Sequence, residues 1–184
     1  MVEVVSGVLD PYVEVPDLLD ESYRASLLRD VLRELADEHA EDNGDGVYAR
    51  LRVSNQALSD HVGRRLRAAL PTMPGLALHD KWFYTAYDTG GYIAPHMDGT
   101  VTRRDATKSA ATVLIYLTDG FRGGDTEVWD VGRDRWVRIN PVAGKALLLS
   151  PTTLHAAAAV ASGGPKVVVR SDLFLSECSH TTYS

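Results

Sequence analysis

Residues 80–97 read DKWFYTAYDTGGYIAPHM: an aromatic run from Trp82 to Tyr87, a turn at Asp88-Thr89-Gly90-Gly91, and a second short run ending at His96. Two β-prone runs about one turn signal predict a hairpin. The same texture continues to residue 175, where short stretches rich in Val, Leu, Tyr and Trp alternate with Gly, Asp and Pro. Strands are expected near 80–87, 91–97, 111–118, 126–130, 134–140, 145–150, 153–160 and 166–175. Gly123-Gly124 marks a tight hairpin turn within this region. Antiparallel strands in this number, with no helical spacing between them, close most naturally as two packed sheets, a jelly roll or double-stranded β-helix.

Upstream of Pro74-Gly75 the periodicity is helical. Tyr23, Leu27, Leu28, Val31, Leu32 and Leu35 make one stripe between Asp20 and Ala40, with Asp20 or Ser22 as cap. Glu41 to Gly46 breaks that helix and is expected as a loop. A second stripe, Leu58, Val62, Leu66 and Ala69, lies between Asn55 and Leu70 and stops at Pro71. The fold class is therefore mainly β with N-terminal helices, the helices packed on one outer face of the jelly roll. Residues 1–184 are expected to form one domain, with helical support at about 18–70 and the jelly-roll core at about 80–175. No repeat or linker interrupts it.

Composition narrows the function classes. Apolar residues make up 45% and charged residues 24% of 184, enough to bury one globular core. The net charge of −6 disfavours nucleic acid as a partner and favours a small-molecule substrate. No run approaches the length of a membrane span. Met1 to Val5 lacks the basic and apolar pattern of a secretory signal, and Cys178 is the sole cysteine, so a cytoplasmic location is expected. The sequence assigns no oligomeric state.

His96-Met97-Asp98 is the first chemical signal. Residues two apart in a strand share a face, so an imidazole and a carboxylate at that spacing can reach one metal ion. With six histidines in the chain, chance alone supplies roughly half of one such pair. His39-Ala40-Glu41 is a decoy of this kind, at the end of a helical pattern. His155, after the apolar run Ala146 to Leu149, supplies a third ligand from a distant strand. Two histidines and one carboxylate on one face leave coordination positions open, the pattern typical of iron(II) oxygenases. Trp82, Trp129 and Trp136 are expected to be structural.

The order of motifs resembles the prolyl 4-hydroxylase-like branch of the iron(II)/2-oxoglutarate-dependent dioxygenases. The series runs Tyr-x-x-Gly-Gly (Tyr87 to Gly91), His-x-Asp-Gly (His96 to Gly99) and a strand ending Tyr116-Leu117, then Gly-Gly-x-Thr-Glu (Gly123 to Glu127). Pro-x-x-Gly (Pro141 to Gly144), Leu154-His155 and a basic residue on the last strand complete it. The resemblance implies that His96, Asp98 and His155 hold Fe(II). It implies that 2-oxoglutarate chelates the iron, with Tyr116 and Tyr87 lining the cavity of its far carboxylate. A buried carboxylate needs a cation, and the last strand offers Lys166 and Arg170. The usual family spacing favours Lys166, while the bidentate guanidinium favours Arg170. The two are some four residues, or roughly 13 Å, apart on one face, so one carboxylate engages only one of them.

The implied reaction consumes O2 and 2-oxoglutarate, releases succinate and CO2, and hydroxylates an unactivated C–H bond. Asp98 disfavours halogenation, since related halogenases lack that carboxylate. Desaturation and ring formation are compatible with it. The small-molecule substrate is expected to be an amino acid or biosynthetic intermediate. A prolyl or peptidyl hydroxylase is the alternative, and a cupin-type metal protein or a binding module not using 2-oxoglutarate is a further one. Gly99 to Ser109, bearing Arg103, Arg104 and Lys108, is expected as a mobile loop whose Arg103 or Arg104 contacts an anionic group of the substrate.

Overall fold

A computed structural model describes residues 11–73 and 75–176. The readings placed on Met1 to Val5, on Pro74 and on Cys178 lie outside the described residues.

The first helix, α1 (Glu21–Glu34), opens at Asp20, whose side chain accepts a hydrogen bond from the Tyr23 amide at 3.0 Å. Leu27, Val31 and Leu35 of its stripe are buried, while Leu32 is left exposed. The helix stops at Glu34, short of Ala40, because the residues after Leu35 are polar or small and exposed. Helix α2 (Gln56–Ala69) opens at Asn55. The Asn55 carboxamide accepts from the Leu58 amide at 2.9 Å and donates to Tyr84 Oη at 3.1 Å. Leu58, Val62 and Leu66 are buried, and Leu70 rather than Ala69 completes the stripe. Asn55→Ala removes both the cap and the tie to the sheet. It is expected to cost about 1–2 kcal/mol, read as a fall in Tm of roughly 2–8 °C in thermal unfolding.

Fourteen strands are formed among the described residues: β1 (Tyr12–Val15), β2 (Glu41–Asp42), β3 (Gly46–Ser54), β4 (Leu76–Leu78), β5 (Lys81–Tyr87), β6 (Tyr92–His96), β7 (Ala111–Tyr116), β8 (Arg122–Gly123), β9 (Thr126–Asp130), β10 (Arg135–Ile139), β11 (Ala146–Leu149), β12 (His155–Ala157), β13 (Val160–Ser162) and β14 (Lys166–Leu175). All pairings are antiparallel. The larger sheet runs β1-β11-β7-β14-β5-β3 and the smaller β6-β12-β9-β10. The expected jelly roll is present.

Strand β3 joins the two sheets. Ala49 to Ser54 pair with β5, whereas Gly46 and Val47 pair with β6. A Cβ on Gly46 would lie 2.2 Å from the Tyr92 carbonyl oxygen, so only glycine permits this crossing. The expected loop at Glu41 to Gly46 is in fact the turn of a small hairpin. Strands β2 and β3 pair around it, closed by the Asn43 amide donating to the Gly46 carbonyl at 2.8 Å.

Two cores result. Leu27, Val31, Leu58, Val62 and Leu66 of the helices pack with Val113, Ile115, Val167, Val169 and Leu173 on the outer face of the larger sheet. Trp82 is fully buried there, its indole N–H donating to Ser59 Oγ at 2.9 Å. The second core, including Tyr87, Tyr116, Val128, Leu147 and Val168, lies between the sheets. Trp129 and Trp136 form an edge-on cross-strand pair with centroids 5.6 Å apart on β9 and β10. No helix among the described residues is long and apolar enough to cross a membrane.

Candidate active site

A cleft of about 520 Å³, counting its open mouth, lies between the sheets. His96 ends β6, His155 begins β12, and the two are cross-strand partners. Their rings lie 4.4 Å apart. Asp98 follows β6 by two residues, and the adjacent Gly99 amide is anchored to the Pro151 carbonyl at 2.9 Å.

These three side chains converge, with one ligand atom from each within 4.8 Å of the others. His96 Nε2 is 3.7 Å from Asp98 Oδ1, and His155 Nε2 is 3.6 Å from Asp98 Oδ2. Each imidazole places Nδ1 2.9 Å from a carbonyl oxygen two residues upstream, Ala94 for His96 and Thr153 for His155. With Nδ1–H donating there, the Nε2 lone pairs face the shared centre, the orientation a metal ligand needs.

The carboxylate is also set for a metal. Burial disfavours charge on Asp98. The neighbouring His96, Arg170 and His155 outweigh that and hold it below the usual carboxylate range. Arg170 Nη2 meets Asp98 Oδ1 at 2.9 Å. Asp98 Oδ2 is buried with no hydrogen-bond partner among the described residues. A buried, ionised, unpartnered oxygen is costly, and a divalent cation between it and two imidazoles removes the cost. The donor set thus fits a 2-His-1-carboxylate centre.

A second cation of the cleft is Lys166, at 1% exposure. Its ammonium donates to the Gly124 carbonyl at 2.7 Å and lies 5.1 Å from the Tyr87 ring centroid and 5.9 Å from that of Tyr116. Tyr116 is fully buried, its hydroxyl donating to Thr126 Oγ1 at 2.8 Å. Burial pushes the Lys166 ammonium down to about 7 and raises both tyrosine hydroxyls. The Gly123-Gly124 pair does more than turn the chain. A Cβ on Gly123 would lie 2.4 Å from the Ala159 carbonyl oxygen, and this close approach fixes the segment whose carbonyl holds Lys166.

The structure therefore separates the two candidate clamps. Lys166 stands with Tyr87 and Tyr116, while Arg170 stands with Asp98 and, at 4.0 Å, Asp172. Sequence reasoning missed Arg50, which lines the cleft from β3. The alternation of Val47, Ala49, Leu51 and Val53 with Tyr48, Arg50 and Arg52 was the available signal.

The expected mobile loop at Gly99 to Ser109 is a tied hairpin. The Arg103 amide donates to Thr107 O at 2.9 Å, the Ser109 amide to Val101 O at 2.8 Å, and Thr102 bridges Lys108. The Arg103 guanidinium packs 3.7 Å over the Phe174 ring and donates to Leu78 O at 3.2 Å. Arg104 is exposed on the same hairpin.

The profile of the 2OG-Fe(II) oxygenase superfamily matches residues 82–171, a span that holds His96, Asp98, His155, Lys166 and Arg170 but not Arg50. The matched segment belongs to that superfamily. The chain is an oxygenase that uses Fe(II), 2-oxoglutarate and O2. The readings as a cupin-type protein or a binding module not using 2-oxoglutarate are set aside by this match.

Solved structures show the same fold. A Pseudomonas putida prolyl-4-hydroxylase superposes with a TM-score of 0.66 at 15% identity, covering 91% of this chain and 94% of its own. A Trichoplax adhaerens prolyl hydroxylase, in complex with a hypoxia inducible factor peptide fragment, gives 0.69 at 15%, covering 90% and 84%. The epimerase SnoN, in complex with Fe3+, alpha ketoglutarate and nogalamycin RO, gives 0.67 at 20%, covering 90% and 79%. No curated protein matches the oxygenase in sequence.

Proposed function

We propose that this oxygenase hydroxylates an unactivated C–H bond of a small molecule, an amino acid or biosynthetic intermediate, and releases succinate and CO2. The carrying observation is the convergence of His96, Asp98 and His155 on one centre with a buried Asp98 oxygen left unpartnered. In this reading the whole chain works as one catalytic domain, and His96 Nε2, His155 Nε2 and Asp98 are the iron ligands. Bound there, iron supplies dioxygen activation and 2-oxoglutarate supplies two of the electrons that reduce it.

The remaining roles belong to the protein. Lys166 takes the far carboxylate of 2-oxoglutarate, because its ammonium is buried with a carbonyl oxygen as its sole hydrogen-bond acceptor among the described residues. Tyr116 and Tyr87 shape that end of the cleft, and their raised pKa values keep both hydroxyls neutral beside the bound anion. Arg170 is a positioning residue. It holds Asp98 Oδ1 and leaves Oδ2 for the metal. Arg170→Met is expected to weaken iron retention by about 10–100-fold, the usual cost of losing an outer partner of a ligand. Metal titration of the purified variant checks this.

The tied hairpin over Gly99 to Ser109 and the limited size of the cleft favour a small substrate over an extended peptide. SnoN, whose structure holds nogalamycin RO, shows that a neighbour of this fold accommodates such a ligand. The test is incorporation of label from 18O2 with a panel of amino acids and biosynthetic intermediates, run beside proline-rich peptides. Labelled small-molecule product with stimulated succinate release supports the reading. Labelled peptide without labelled small molecule contradicts it.

A further inference from the structure

We infer that the substrate carries an oxyanion, a carboxylate or a phosphate, which Arg52 and Arg50 bind beside the face of Phe83. This rests on the function proposed above and names the substrate class of the same site.

Phe83 lies on the cleft face of β5, between Arg52 of β3 and Arg170 of β14 in the strand registers. Three guanidinium carbons surround its ring, with Arg170 at 5.2 Å, Arg52 at 5.6 Å and Arg50 at 5.7 Å from the centroid. Such crowding of like charge needs an explanation in a chain whose net charge is −6.

Only one of the three is neutralised. Arg170 pairs with Asp98. Arg50 reaches the Thr85 hydroxyl at 3.4 Å and stacks 4.3 Å over Tyr48, with no carboxylate partner among the described residues. Arg52 is exposed and has the Phe83 ring as its contact, without a hydrogen bond or ion pair among the described residues. Asp172, the nearest acid on β14, feels the charge of Arg52 but makes its 4.0 Å approach to Arg170.

The co-substrate does not fill this need. The two negative charges of 2-oxoglutarate offset the two positive charges of the iron. Asp98 is the one carboxylate among the residues lining the cleft, against Lys166, Arg170 and Arg50. The loaded cleft thus keeps two positive charges in excess, before Arg52 is counted. Arg50 and Arg52 alternate on one face of β3, with Cα atoms roughly 7 Å apart. Their planar donor forks suit carboxylate and phosphate oxygens. The Phe83 face takes the apolar body of the same molecule.

The experiment loads the protein with iron(II) and saturating 2-oxoglutarate without oxygen. It is then titrated calorimetrically with phenylacetate, phenyl phosphate and the neutral phenylacetamide. At least one anion should bind tenfold or more tightly than the amide, and the better of the two distinguishes carboxylate from phosphate. Arg52→Met, which keeps the apolar stem of an exposed side chain, should lose about tenfold in anion affinity with the amide unaffected. Arg50→Met should do the same. Anions that bind no better than the amide, or do not bind, overturn the inference, and so does unchanged anion affinity in both variants. If the loaded complex does not form, the iron and 2-oxoglutarate reading has failed. The same arginine dependence measured on the metal-free protein then decides the anion site by itself.

Discussion

His155→Ala is expected to weaken iron retention by more than the 10–100-fold typical of losing an outer-sphere partner, and to abolish substrate-dependent succinate release. His155 is buried, its Nδ1 is tied to Thr153 O, and its Nε2 faces Asp98 Oδ2. No other imidazole among the described residues joins that cluster, so nothing replaces the lost ligand. The fold should survive, since the ring sits on the wall of a cleft rather than in the packed core beneath the helices. Iron content after gel filtration and the far-ultraviolet dichroism of the variant separate loss of metal from loss of structure. A variant that keeps its iron and its turnover removes His155 from the site.

Lys166→Met is expected to raise the KM for 2-oxoglutarate roughly 10–150-fold, the worth of one hydrogen bond to a charged group. The same residue makes stability depend on pH. In the folded protein burial pushes the ammonium down to about 7, whereas its ordinary value is 10.5. Between those values the unfolded chain holds a proton that the folded chain has released, so stability rises with pH across that window. Below about pH 7 both states are protonated and the burial penalty is fully present. The rise is on the order of a few kcal/mol, and Lys166→Met should flatten it. Methionine should also stabilise the co-substrate-free protein below pH 7, because it fills the space without a buried charge. Binding of 2-oxoglutarate favours the ammonium. Above pH 7 it should therefore take up a proton and weaken as pH climbs, which calorimetry in buffers of different ionisation heat detects. Equal pH profiles for wild type and variant would show that another group carries the effect.

The parts of the site that lie close together in sequence were the legible ones. His96 and Asp98 are two residues apart, so a strand period of two already predicts one shared face, although β6 itself ends at His96. His155 needed the antiparallel order of strands, which turn residues and β-prone runs supplied. The division between Lys166 and Arg170 was not legible. Their spacing puts both on one face of β14, but only the register with β5 and β7, and the position of Asp98, decides which cation meets Asp98. Strand β3 was hidden by its chemistry. Its apolar residues point outward to the helices, while its inner face carries Tyr48, Arg50 and Arg52, so polarity runs opposite to the usual buried strand. The hairpin from Gly99 to Ser109 is closed largely by backbone hydrogen bonds, to which side-chain identity gives little clue.

In the proposed function, His96, Asp98 and His155 hold an iron to which 2-oxoglutarate binds. The most direct test is an anaerobic titration of the iron(II)-loaded protein with 2-oxoglutarate, followed in the visible spectrum. A metal-to-ligand charge-transfer band that saturates at one equivalent, and is lost in His155→Ala, is the expected result. Iron bound with no such band, or a band that persists unchanged in His155→Ala, would contradict the proposed function.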